Sequence, residues 1–225
     1  MPRERKAIYF ELLVVLGLMA LPSLFKAVFL FLHPEEGPRP EHASWYFAGK
    51  LLSDLLFLGL LLHIVRLNSE GPADFTEPFR GLDLVRGLGL AVGAYVVTTV
   101  TTLVLLRLGD PASRSAEPRA VEIFESPMSP FYVLAALVNP FVEETYVRGF
   151  LQTRLRQARE SAGKIVLFSV LLQTSYHIYQ GVTSCLALAP GFAIYAVYYQ
   201  SSRRLWPVII AHLLEDVLVL LFYSK

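Results

Sequence analysis

Eleven ionisable side chains stand inside otherwise apolar stretches of this sequence, and seven of them fall into three short groups. The first group, Asn139-Pro140-Phe141-Val142-Glu143-Glu144-Thr145-Tyr146-Val147-Arg148-Gly149, sets two carboxylates side by side. Successive helical residues diverge by about 100°, so the two glutamates cannot share one task. Glu144 and Arg148 are spaced i, i+4, at which a guanidinium can neutralise a buried carboxylate. Glu143 is left on another face, without a local partner, as a candidate general base. Asn139-Pro140 can cap or kink the helix just before it. The competing reading is a purely structural ion cluster. His212 and Asp216 are also i, i+4, a spacing that suits metal chelation or a carboxylate orienting an imidazole. Glu215 diverges from that face and reads as structural. His177, taken alone, reads as a core histidine; its interest lies in the company it keeps.

The elements that must position these groups are membrane helices. The 225 residues are 54% hydrophobic and 17% charged, with a mean hydropathy of +0.49, whereas soluble domains carry about 25% charged residues. Gly87 to Leu106 and Ile165 to Ser202 contain no Asp, Glu, Lys or Arg. The second run is long enough for two crossings at roughly 20 residues each. We expect an all-α polytopic bundle of about seven helices (six to eight), at about 7–32, 44–65, 84–106, 129–151, 164–180, 183–202 and 205–224. The whole chain, 1–225, reads as a single integral membrane domain. Breaker residues mark the loops: Pro34, Gly37, Pro38 and Pro40 after the first crossing, Pro111 and Pro118 after the third. Measured from the expected cytoplasmic boundaries near residues 152, 164 and 205, Glu143, His177 and His212 lie roughly 14, 20 and 11 Å deep at 1.5 Å per residue. Three helices can therefore bring them to one depth.

The remaining charges set topology or pair. Twelve Lys and Arg fall on the N-terminal side: Arg3, Arg5 and Lys6; Arg66, Arg80 and Arg86; Arg154, Arg156, Arg159 and Lys164; Arg203 and Arg204. Five fall opposite (Arg39, Arg107, Arg114, Arg119 and Lys225), which predicts a cytoplasmic N-terminus. Lys50 and Asp54 form an i, i+4 structural pair, and Glu11 and Lys26 snorkel from nearer the helix ends. The net charge of +1 gives no basic field for nucleic acid. A single cysteine, Cys185, excludes an intramolecular disulfide and reads as a buried structural thiol. The start of the chain reads as a retained first crossing rather than a cleaved signal.

The three groups together resemble the CPBP family of intramembrane endopeptidases (CAAX-protease, bacteriocin-processing and abortive-infection proteins). Glu143-Glu144-Thr145-Tyr146-Val147-Arg148 matches the Glu-Glu-x-x-x-Arg motif of that family. His177 matches the second motif, with Gln173 where the family usually has phenylalanine and Ser169 at a serine often seen upstream. Gly191, Tyr198 and Leu205-Trp206-Pro207 resemble the segment leading into the last motif, with Tyr195 in place of a customary glycine. His212 fits the last motif, with Asp216 in the position usually held by asparagine. The resemblance covers Asn139 to Val217, within a catalytic region of about 129–224.

It implies peptide-bond hydrolysis in the membrane by catalytic residues Glu143, Glu144, Arg148, His177, His212 and Asp216. In a glutamate mechanism, Glu143 and His177 polarise a water, and His212 with residue 216 stabilises the oxyanion. In a metallo version, His177, His212 and Asp216 hold a divalent ion such as zinc, and Glu143 deprotonates its water. An ionised Asp216 would repel an oxyanion, so we expect it to hold His212. The implied partners are the lipid bilayer and a membrane-associated or lipid-modified protein substrate. Arginine at 15 of the 20 basic positions suggests a prokaryotic cell membrane. Alternatives are processing of C-terminal sorting tails, as in the myxosortase branch, or a non-enzymatic immunity, scaffold or transport protein.

Overall fold

The computed structural model describes residues 4–33, 36, 42–108 and 129–223. The breakers Pro34, Gly37, Pro38, Pro40, Pro111 and Pro118 lie outside them, as do Arg3, Arg39, Arg114, Arg119 and Lys225. Among the described residues seven helices follow one another: α1 (Arg5–Leu32), α2 (Ala43–Leu67), α3 (Leu82–Leu108), α4, α5 (Ala162–Ser175), α6 (Val182–Ser202) and α7 (Trp206–Tyr223). Helix α4 begins as Pro130–Glu144, widens into a π-helix over Thr145–Gln152 and ends as the α-turn Thr153–Gln157. The fold is an all-helical bundle, as its apolar periodicity requires. Among the described residues four helices, α1, α2, α3 and α6, are long and apolar enough to cross a membrane. Their outward faces carry Phe10, Leu13, Phe25, Leu56, Val85 and Leu186 exposed, as a lipid solvent permits.

Two clusters flank the middle of the bundle. Ile8, Leu12, Val15 and Met19 repeat every three to four residues along α1 and meet Val147, Phe150, Leu151 and Leu155 of α4. On the other side, Ala91 and Ala94 of α3 pack with Phe192, Tyr195 and Tyr199 of α6 and Val208, Ile209 and Ala211 of α7. Helix α3 lies on α6 and α7, α2 on α4, α5 on α6, and α7 on α4. Two glycines permit the close approaches. A Cβ on Gly87 would lie 2.6 Å from Ile210 Cγ2, and one on Gly191 would lie 2.9 Å from Thr98 Oγ1.

One end of the bundle is tied by ions. Arg154, fully buried, donates to Glu11 (2.7 Å) and with both terminal nitrogens to Glu70 (2.9 and 2.6 Å). Arg204 grips Asp83 through two bonds of 2.7 and 2.6 Å. Arg5 pairs with Glu160, and Thr76 accepts from the Leu205 amide. The N-terminus and the connections 68–81, 158–161 and 203–205 thus meet at one end, as alternating crossings demand. Glu11 is therefore not a snorkelling charge: a buried guanidinium needs a carboxylate, and Glu11 supplies one.

Two further expectations are corrected. The fifth helix does not run to residue 180. It stops at Ser175, and a 3-10 turn, Ile178–Gln180, follows, so only about 21 Å of α-helix is present. Asn139 caps nothing, because the cap of α4 is Ser129, whose hydroxyl accepts from the Tyr132 amide (3.1 Å). Pro140 sits within the helix. The expected buried thiol is present: Cys185 donates its S–H to the Thr174 carbonyl (3.0 Å).

Candidate active site

A cavity of about 1390 Å³ opens between the two clusters. Its polar wall holds Glu143 from α4, His177 from beyond α5, and His212, Glu215 and Asp216 from α7. Backbone that is not helical at membrane depth is tolerated where it lines a cavity or is covered by protein. The early end of α5 is such a place, since Tyr176, His177, Tyr179 and Gln180 all face the cavity.

The adjacent glutamates part company as their helical phase requires. Glu144 is fully buried and Glu143 half-buried on the cavity wall. Arg148, also fully buried, sets Nε 3.2 Å from Glu144 Oε2 and donates to the Phe192 carbonyl (3.1 Å). Glu143 accepts at Oε2 from the Tyr176 hydroxyl (3.1 Å) and the Gln173 amide (3.4 Å).

The histidine contacts fix which nitrogen faces the cavity. His177 Nδ1 lies 2.8 Å from the Gln173 carbonyl. A carbonyl only accepts, so Nδ1 carries the proton and a neutral ring keeps its lone pair on Nε2. The same bond satisfies a carbonyl at the open end of α5. His212 Nδ1 lies 2.9 Å from Glu144 Oε1, while its Nε2 is 3.7 Å from Asp216. The residue that holds His212 is therefore Glu144, where the sequence pointed to Asp216. An i, i+4 carboxylate reaches only along its own helix, whereas Glu144 arrives across the bundle at the buried edge of the ring.

Residues 125–218 match the model of the type II CAAX prenyl endopeptidase Rce1-like family. This segment is similar to the CAAX-protease family. The CAAX-protease match takes in α4 to most of α7 and leaves α1, α2 and α3 outside it. No curated protein and no solved structure matches the chain.

Glu143, His177, His212 and Asp216 meet at the cavity, with Glu144 and Arg148 buried directly behind it. Among the described residues, however, no three His, Cys, Asp or Glu side chains form a metal-ligand set. His177, His212 and Asp216 as arranged do not make up such a set.

Four residues, beyond Asp54 and Asn139, join the site without having been singled out for it. Lys50 donates to Asp54 (2.6 Å) and to Asn139 (2.8 Å), and all three line the cavity, so this pair is part of the wall. Glu215 lines it too, rather than serving only the packing. Lys26 does so over the ring of Tyr46, 4.0 Å from its centroid. Tyr176 is the fourth, and its place beside His177 in sequence was the available signal.

Proposed function

We propose that the protein is an intramembrane endopeptidase in which Glu143 activates a water, and that its substrate is a membrane-associated protein carrying a lipid modification near its C-terminus. The observation that carries this reading is one cavity reached by Glu143, His177 and His212, with Glu144 and Arg148 sealed behind it. The water donates one proton to the free oxygen of Glu143, with His177 Nε2 as its second acceptor, and its oxygen attacks the scissile carbonyl. His212, protonated on both nitrogens between Glu144 and Asp216, donates from Nε2 to the resulting oxyanion. As the C–N bond breaks, Glu143 returns the proton to the leaving amine. Products are a new carboxylic acid, which ionises by giving its remaining proton to solvent, and a free amine.

Membrane proteomes of cells carrying wild type or Glu143→Gln test this directly. The wild type is expected to yield a C-terminal fragment whose production falls about 100-fold or more in the variant. A purified Glu143→Gln protein that still cleaves overturns the reading. Substrate-dependent proton flux without cleavage would favour transport instead. Metal analysis of active protein separates the glutamate mechanism from a metallo one.

A further inference from the structure

Gln173 occupies the place where the motif it resembles has phenylalanine. Its side chain is fully buried in α5, and three contacts leave the residue. Nε2 donates to Glu143 Oε2 (3.4 Å) and to Glu144 Oε1 (3.3 Å), and the main-chain carbonyl takes the His177 Nδ1–H (2.8 Å). The side-chain Oε1 has no hydrogen-bond partner. Leaving a buried acceptor unpaired is unfavourable, and an aromatic ring would avoid that cost. What the ring cannot do is donate. Hydrogen bonds to ionised carboxylates are the stronger kind, and here one amide spans both glutamates. Tyr176 also donates to Glu143 at Oε2, so both donors hold the same oxygen and Oε1 of Glu143 stays available to the cavity.

We infer that Gln173 is a positioning residue: its amide fixes Oε2 of Glu143 so that Oε1 meets the water, and it couples that carboxylate to Glu144, which holds His212. This rests on the reading of Glu143 as the base of an endopeptidase. The role belongs to this chain, since the phenylalanine of the resembled motif cannot perform it.

The test uses full-length protein in liposomes and a quenched peptide with a farnesylated cysteine three residues from its C-terminus. Gln173→Met keeps the shape without the donor, Gln173→Phe supplies the motif's ring, and Gln173→His supplies a ring with a donor. The expected result is kcat down about 10- to 100-fold for the first two, with KM within about twofold. Gln173→His is expected to recover at least tenfold of that loss. Wild-type kcat in Gln173→Phe or Gln173→Met, a change in KM alone, or an equal loss in all three overturns the inference. Unfolding midpoints are read in parallel, and collapse of all three variants overturns it in favour of a structural role. Cleavage by Glu143→Gln, or no cleavage by wild type, overturns the reading beneath, and the inference with it.

Discussion

Glu143 and Glu144 differ by one position and by everything that surrounds them. Glu144 faces Arg148, His212 and Gln173 in a space without exposure, and Glu143 faces the cavity. Removing the charge of Glu144 strands a buried guanidinium and frees the imidazole it holds. Breaking a buried pair from one side costs about 3–5 kcal/mol. Glu144→Gln is therefore expected to lower the unfolding free energy in detergent by about that amount, and activity with it. A variant as stable as wild type would show the pair to be incidental. The sequence supplied the Glu144–Arg148 pair because both partners lie on one helix. It could not supply the contacts of Gln173 or Tyr176, which depend on how α5 ends.

At the scale of the elements, the site depends on two irregularities, the π-helix in α4 and the early stop of α5. Neither has a signature in apolar periodicity, because Thr145–Gln152 and residues 176–181 mix polar with apolar side chains. Pro140, which removes a main-chain donor from the helix interior, and Gly181, at φ 94°, were the signals available. Packing of α3 against α7 depends on Gly87, whose missing Cβ leaves room for Ile210 and the Pro207 carbonyl. Gly87→Ala puts a methyl 2.6 Å from Ile210 and 3.1 Å from backbone oxygen. Overpacking of this kind costs about 1–3 kcal/mol. The expected outcome is a lower unfolding midpoint for Gly87→Ala, with Gly93→Ala, which meets open space, unchanged.

For the molecule as a whole, the ion-paired end closes the bundle, and it titrates. Hydrogen bonds from the Tyr9 hydroxyl, Lys164 and Arg5 hold the Glu160 carboxyl at about 2, below its ordinary 4.5. A depressed folded value stabilises the native state above the unfolded value, and that contribution is lost as pH falls toward the folded one. The difference in unfolding midpoint between wild type and Glu160→Gln should be constant from pH 7 to 5 and close toward pH 2. A gap that persists at pH 2 would mean that packing, not charge, is responsible.

The sequence by itself determined that the chain is a helical membrane bundle, because apolar runs free of charge have no other stable arrangement in lipid. It also separated the tasks of Glu143 and Glu144, because helical phase is a local property. Tertiary structure decided the rest. That Glu11 serves Arg154, that Glu144 rather than Asp216 holds His212, and that Lys50 and Glu215 line the cavity are contacts between distant segments. A buried charge takes whichever partner the packing brings within 3 Å or so, and spacing along one helix cannot say which that will be.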